Sequence, residues 1–293
     1  MTKEMHDVRP HTSVRLRSAV MVKLVLTLVV LVATIDTGRG SKKAGEEIAA
    51  AAPTDSIPQL PGWKLVWNDE FSGTSVDLTK WEYEVNGQGG GNNELQYYTA
   101  NPSNSFVQDG ELTIRAQKEA YLGKQYTSAR MRTRNKGDWK YGRVEVRAKV
   151  PYGRGMWPAI WMLPTDREYG GWPMSGEIDI MECLGQDPWT IYGTIHFGQS
   201  VAAHQQMGGK YIRSGESFAV DFHVYTIEWD STSIRWSVDG AQYFTAVKSS
   251  PFDKRFHLLL NVAVGGNWPG SPDEFTTFPQ TMMVDYVRVY QRP

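Results

Sequence analysis

Length, composition and charge limit the classes of protein to which this chain can belong. Its 293 residues are 41% hydrophobic and 22% charged, which predicts a folded core. The 31 Lys and Arg nearly balance the 32 Asp and Glu, so the chain lacks the basic excess expected of a nucleic-acid-binding protein. A single cysteine excludes an internal disulfide and a cysteine-built zinc site. The 11 Trp, 14 Tyr and 28 Gly favour an all-β protein that presents aromatic faces to a ligand.

The first sixty residues differ in character from the rest. Basic residues Arg15, Arg17 and Lys23 precede an apolar run over 24–33, which is shorter than the ~20 residues that a membrane-spanning helix needs. We therefore predict a signal peptide over 1–35, a linker over 36–60 and one folded domain over 61–293. The mature protein is then secreted or periplasmic and not held in a membrane. An uncleaved anchor is the alternative interpretation.

Polar and apolar residues alternate with the period of a β-strand through most of the domain. Two of these strands are joined to their neighbours by turn pairs, Asp109-Gly110 and Asp239-Gly240, which are typical of hairpins. The alternation and the Gly-rich turns predict a two-sheet antiparallel sandwich. The clearest strand patterns are at 111–116, 143–148, 224–229, 233–238 and 284–290.

Three acids lie on one apolar strand at 176–182, with the sequence GEIDIME. In a regular strand Glu177 and Asp179 share a face and Glu182 points away from it. A β-bulge at Ile180-Met181 would turn Glu182 onto the same face. Two glutamates on one face, with their carboxyls about 5–5.5 Å apart, fit retaining glycoside hydrolysis. A solvated row of acids and a calcium cluster remain alternatives on the spacing alone.

Tryptophans surround the acidic strand in the sequence and favour a carbohydrate ligand, because a flat indole ring packs well against a sugar face. Trp157 and Trp161 precede the acids, while Trp172 and Trp189 flank them. Each of these rings has core packing as its alternative role. His196 follows the acids by one hairpin, where it could lie over the cleft or be a structural histidine.

These segments together resemble glycoside hydrolase family 16, on its laminarinase (endo-1,3-β-glucanase) branch. The resemblance runs in order through about residues 62–291. Its most specific parts are WPAIWMLP, WPMSGEIDIME and GTIHFG, and the inserted Met181 is typical of the bulged members. The other matching segments are WNDEF at 67–71, NNELQYY at 92–98, DGELTI at 109–114, TSAR at 127–130, YGRVE at 141–145, VGGNWPG at 264–270 and VDYVRVY at 284–290.

The resemblance implies an all-β jelly-roll sandwich with an open substrate cleft on its concave sheet. It implies Glu177 as nucleophile, Asp179 as its assistant, Glu182 as acid/base, and His196 as an active-site residue. The residues that it implies for glucan contact are Asn93, Arg130, Trp157, Trp161 and Trp268. It implies no cofactor for catalysis.

The resemblance also implies a structural calcium ion on the convex side, held by Glu70, the backbone of Gly110, and Asp285. The two acids are equally consistent with ordinary surface residues. We expect a monomer whose partner is a β-glucan polysaccharide, with no nucleic acid and no membrane.

Three functional hypotheses follow. The first is endo hydrolysis of β-1,3-glucan, extending to mixed β-1,3/1,4-glucan. The second is the same chemistry on agarose, porphyran or carrageenan, or transfer to a sugar instead of water. The third is a non-catalytic glucan-binding protein, which the complete set of three acids disfavours. Beyond residue 154, the segment 155–198 around the acids carries only Arg167 as a basic residue, which favours a neutral glucan over a sulfated galactan.

Overall fold

A computed structural model describes residues 57–293. The predicted signal peptide and all but the end of the predicted linker lie outside the described residues. Residues 57–293 include no helix with the length and apolar character needed to cross a bilayer.

The described residues form strands joined by turns, with two short 3₁₀ helices at Gly89–Gly91 and Val201–Ala203. All five predicted strands are present, several of them longer than the sequence pattern indicates. In chain order the strands are β1 (Lys64–Asp69), β2 (Glu82–Tyr83), β3 (Gln96–Tyr98), β4 (Ser105–Gln108), β5 (Glu111–Tyr121), β6 (Lys124–Ser128), β7 (Arg130–Arg132), β8 (Asp138–Trp139), β9 (Gly142–Lys149), β10 (Met156–Pro164), β11 (Glu177–Leu184), β12 (Asp187–Gly198), β13 (His204–Ile212), β14 (His223–Trp229), β15 (Ser233–Val238), β16 (Ala241–Val247), β17 (Phe256–Val264) and β18 (Gln280–Gln291).

The strands form two sheets, as predicted. One, the cleft sheet, has the order β13-β12-β11-β10-β17-β7-β2, with β8 also paired to β17. The other, the back sheet, has the order β16-β15-β14-β9-β18-β5-β6-β3, with β1 on β18 and β4 on β5. Every strand pair is antiparallel except β3 with β6. Both predicted turn pairs have positive φ at their two central residues, as tight hairpins require.

Strand β17 shows how the core and the cleft share one sheet. All nine of its residues are buried, because one face meets the back sheet and the other forms the cleft floor. Leu258, Leu260 and Val262 belong to the hydrophobic core. His257 and Asn261, which alternate with them, line the cleft. The period of two along the strand therefore separates packing from ligand contact.

A buried tryptophan of the back sheet holds the acidic strand in place. The indole Nε1 of Trp236 on β15 donates a hydrogen bond of 2.8 Å to the backbone oxygen of Asp179. Gly193 on β12 leaves room for this contact, because a Cβ there would lie 2.5 Å from the Trp236 ring. The two sheets are thus joined by a directional bond beside the acids.

Replacing Trp236 with Phe removes this bond while keeping an aromatic ring. The Asp179 carbonyl then loses a buried donor, and we expect the free energy of unfolding to fall by about 1–3 kcal/mol. Urea unfolding of the Trp236→Phe protein measures the loss. Trp189→Phe is the matched control, because the exposed Trp189 donates to the Gly215 carbonyl at the surface and its loss should stay within about 0.5 kcal/mol. Equal stability of the Trp236→Phe variant and the unaltered protein would contradict this role.

Candidate active site

The predicted β-bulge is present in the acidic strand. On β10, Ile160 pairs with Met181 and Trp161 pairs with Asp179, so Ile180 has no partner there. On the other side, β12 pairs with Asp179 and then with Glu182, with a register shift between them. The extra residue reverses the alternation, and Glu177, Asp179 and Glu182 all face the cleft.

The three carboxyls lie in a largely water-excluded setting. Asp179 is 2% exposed, while Glu177 and Glu182 are half-buried. His196 on β12 pairs in register with Glu177. Its Nε2 lies 3.1 Å from Asp179 Oδ2 and 4.0 Å from Glu177 Oε1. His196 therefore faces the acids, and the burial of Asp179 disfavours the interpretation as a solvated row of acids.

Burial controls the protonation of these acids. It raises the pKa of Glu177, Asp179 and Glu182, each to about 8. Burial is the largest cause; for Glu177 and Glu182 the neighbouring acids contribute to the same rise in pKa, whereas His196 opposes it. The cluster therefore retains protons at neutral pH, which supplies a general acid beside carboxylates that can ionise in turn.

The indole of Trp157 makes a direct contact with one acid. Its Nε1 donates a hydrogen bond of 3.0 Å to Glu182 Oε1 and so lowers the pKa of that carboxyl against the effect of burial. Trp161 instead donates to Asn261 Oδ1 at 2.7 Å and packs under the guanidinium of Arg130, 4.5 Å from the ring centre. These three predicted contact residues, Arg130, Trp157 and Trp161, line a cleft of about 430 Å³.

The other two predicted contact residues lie on loops at the rim and not in the cleft wall. Asn93 is exposed and donates to Asn267 Oδ1 at 2.9 Å. The neighbouring Trp268 packs edge-on against Trp157 with ring centres 5.6 Å apart, and is 41% exposed. Trp172 lines the cleft, but Trp189 does not. A rim position leaves Asn93 and Trp268 open to a long polymer.

Several cleft residues were not identified from the sequence. Arg132 and Arg134 follow Arg130 along one wall, and His257 lies beside them on β17. Burial, followed by the charges of these arginines, lowers the pKa of His257 to about 3, so it is neutral at pH 7. No local motif indicates these residues, because they lie far along the chain from the acids and meet them only through strand pairing.

The predicted calcium ligands are occupied by other partners. Arg288 binds both carboxylate oxygens of Glu70, at 3.0 and 2.7 Å. Arg147 binds Asp285 at 2.6 Å. A calcium ion needs six to eight oxygen ligands, and these two carboxylates are not free to supply them in this arrangement. The residues as placed do not fit the ion, and calcium binding stays a prediction.

Comparison with known proteins agrees with this fold. The family model for glycosyl hydrolases family 16 matches residues 92–288. The chain is 46% identical to a beta-glucanase of Rhodothermus marinus, over 81% of this chain and 88% of that protein. It is 42% identical to glucan endo-1,3-beta-glucosidase A1 of Niallia circulans, over 84% of this chain but only 40% of that longer protein.

The fold is similar to that of the solved laminarinase from Rhodothermus marinus. The TM-score is 0.74 at 46% identity, covering 80% of this chain and 99% of that one. The chain therefore belongs to glycosyl hydrolases family 16 and has its β-jelly-roll fold, as its motifs indicated.

Proposed function

We propose that this protein is a retaining endo-β-1,3-glucanase. The observation that carries the proposal is the bulge that brings Glu177 and Glu182 onto one buried face of a tryptophan-walled cleft. Two carboxyls that face one cleft are the machinery of glycoside hydrolysis, and a pair close enough for one carboxylate to attack directly gives retention. The similarity to laminarinases and endo-1,3-β-glucosidases supports β-1,3-glucan as the substrate.

In the first step the carboxylate of Glu177 attacks the anomeric carbon and forms a glycosyl-enzyme ester. Glu182 gives its proton to the glycosidic oxygen, whose bond to the anomeric carbon breaks. In the second step Glu182 takes a proton from water, and the oxygen of that water displaces Glu177. Two inversions at the same carbon give net retention.

The surroundings of each acid support these roles. Burial raises the pKa of Glu177, and His196, followed by Arg130, opposes this rise, so both residues favour ionisation of the nucleophile when it attacks. Trp157 holds the Glu182 carboxyl by its 3.0 Å hydrogen bond and supports both its protonated and ionised states in turn. Asp179, buried between the two, assists by exchanging a proton with its neighbours.

The open shape and the rim aromatics support endo action on a polymer, since a chain can cross the cleft without threading an end. Secretion, predicted from residues 1–35, is part of the proposal, because polysaccharide substrates lie outside the cell. The monomeric state is also proposed.

The charge of the cleft bears on the choice among polysaccharides. Two of the wall arginines are paired with acids, Arg130 with Glu84 at 2.7 Å and Arg132 with both Glu82 and Glu84. Arg134 and Arg167 also line the cleft, and within residues 57–293 neither forms a salt bridge. The cleft is therefore more basic than the segment around the acids indicated. An anionic galactan remains the second candidate substrate for this reason.

Purified protein incubated with laminarin, lichenan, agarose, porphyran and carrageenan tests the substrate class. We expect laminarin to be cut first, with a ladder of oligosaccharides appearing before glucose because cleavage is internal. Sizing the products by chromatography shows which polysaccharide is cleaved and whether the cleavage is internal. Cleavage of a galactan with laminarin intact would overturn the proposed substrate, and glucose as the first product would overturn endo action.

Replacement of the two glutamates by Ala, with azide added, tests their separate roles. On a β-glucan oligosaccharide with a good aryl leaving group, Glu182→Ala should still form the ester, but turnover should fall about 10²–10⁴-fold because no base activates water. Azide should then restore turnover and give a β-azide, because it replaces water on the ester. Glu177→Ala should give an α-azide by a single inversion.

The exposed Glu216 provides the control for this pair, and Glu216→Ala should leave the rate unchanged. The same azide anomer from both active-site variants would contradict the assigned roles. Full activity of Glu177→Ala without azide would contradict the double displacement itself.

A further inference from the structure

A buried carboxyl group in the cleft wall has no part in the proposed mechanism. Glu94 precedes β3, is 6% exposed and lines the cleft together with Gly90. Its Oε2 accepts hydrogen bonds from Gln96 Nε2 at 2.6 Å and from the Tyr98 hydroxyl at 3.1 Å. Its Oε1 makes no hydrogen bond within residues 57–293, yet solvent reaches it. One oxygen of this carboxylate is therefore held, and the other is open.

The direction of the hydrogen bond from Gln96 is fixed by a group that can only donate. The backbone N–H of Val264 donates to Gln96 Oε1 at 2.7 Å. The NH₂ group of the Gln96 amide must therefore be the end that faces Glu94 Oε2. Glu94 Oε2 is the acceptor in this contact.

A second directed chain reaches the same oxygen from the cleft floor. The indole of Trp161, which cannot accept, donates to Asn261 Oδ1 at 2.7 Å. The NH₂ group of Asn261 therefore donates to the Tyr98 oxygen at 3.2 Å, and the hydroxyl proton of Tyr98 is left for Glu94. Both donors within reach of Glu94 are thus used on Oε2, and Oε1 remains an acceptor without a donor.

The neighbouring loop leaves Oε1 uncovered. Gly90 has a φ of 57° and packs against the Glu94 carboxylate, where a Cβ would overlap Oε1. Lys124 donates to the backbone oxygen of Glu94 at 3.2 Å and not to its carboxylate. Among residues 57–293, no cation forms a salt bridge with Glu94. The open oxygen therefore keeps its capacity to accept a proton from a ligand.

We propose that Glu94 binds the polysaccharide, with Oε1 accepting a hydrogen bond from a hydroxyl group of a neutral sugar unit. A sugar hydroxyl supplies the donor that this oxygen lacks. A sulfate ester does not, because its oxygens only accept and carry charge of the same sign, so Glu94 also selects against a sulfated unit at this point. This role rests on the proposed function for the identity of the polymer.

Replacing Glu94 with Gln separates ligand binding from a purely structural role. Gln96 and Tyr98 keep the new carbonyl oxygen at the Oε2 position, so the new NH₂ group lies where Oε1 was. The buried hydrogen bonds are retained, while the cleft gains a donor in place of an acceptor. A purely structural Glu94 therefore predicts unchanged ligand binding in this variant.

Glu82→Gln is the matched control. It also removes one negative charge, but Glu82 pairs with Arg132 and does not line the cleft. Any effect of the overall charge of this region on a sulfated ligand appears in both variants, whereas the loss of a hydrogen-bond acceptor in the cleft appears only in Glu94→Gln.

Isothermal titration calorimetry in the Glu177→Gln background measures binding without cleavage. The probes are a β-1,3-glucan hexasaccharide, a neutral agarose hexasaccharide and a sulfated carrageenan hexasaccharide. We expect Glu94→Gln to weaken glucan binding about 10–100-fold, as the loss of a hydrogen bond to a charged acceptor does, and to strengthen binding of the sulfated ligand. Glu82→Gln should leave glucan binding unchanged.

A second variant tests the same oxygen without altering the carboxylate. The methyl group of Gly90→Ala would cover Oε1, so this variant should also weaken glucan binding. Unchanged glucan binding in Glu94→Gln, with an unchanged unfolding temperature, would overturn the inference. Tightest binding of the sulfated ligand by the Glu177→Gln protein, or no binding of either neutral ligand, would overturn it as well.

The agarose probe distinguishes failure of this role from failure of the proposed function. Binding of the agarose hexasaccharide in place of the glucan would contradict β-1,3-glucan as the substrate. The effect of Glu94→Gln on that neutral ligand would then decide the role of Glu94, with weaker binding supporting it and unchanged binding overturning it.

Discussion

The burial of three carboxyl groups on one strand is the constraint on which the rest of the site depends. An isolated carboxylate is costly to bury, so a strand with three of them needs protons or nearby donors. Both are present. Burial raises the pKa of all three acids to about 8, while Trp157 donates to Glu182 and His196 lies against Asp179. Protonation of the acids at neutral pH therefore lowers the cost of burying them and also supplies the proton that catalysis needs.

The sandwich supplies the rigidity that this arrangement needs. The bulge at Ile180 is an irregularity in a sheet, and it lies where β11 is paired on both sides, by β10 and by β12. The bond from Trp236 to the Asp179 carbonyl fixes it from beneath. On the open side, the strand alternation of β17 places polar groups in the cleft without opening the core. Pairing with β10, pairing with β12 and the hydrogen bond from Trp236 therefore all hold the acidic strand in position.

Local features of the sequence were enough to predict the sheets and the bulge. Alternation along a strand and turn pairs such as Asp239-Gly240 depend only on neighbours in the chain, and the acids of 176–182 lie within one strand. We predicted the bulge because strict alternation along the strand would turn Glu182 away from the face that carries Glu177 and Asp179. The motifs around these acids also indicated the family correctly.

Features that depend on distant strands were not predicted. His204 on β13 reaches His196 through the pairing of β12 with β13. Arg132 comes near His257 through the pairing of β7 with β17. Periodicity carries no information about which strands become neighbours. Trp189 follows the acids closely in sequence, but its indole bonds to the Gly215 carbonyl away from the cleft. Glu70 and Asp285 meet arginines that the sequence pattern did not link to them.

The most direct test of the buried acids is the pH dependence of stability. A carboxyl whose pKa is about 8 in the folded protein and about 4 in the unfolded chain adds stability below pH 4 that is lost as the pH rises through 8. Urea unfolding at pH 5, 6, 7 and 8 should therefore show the protein losing stability relative to the variant Glu177→Gln, Asp179→Asn, Glu182→Gln. Other groups titrate equally in both proteins, so the difference isolates the cluster. A difference that is constant with pH, or that changes in the opposite direction, would contradict the account.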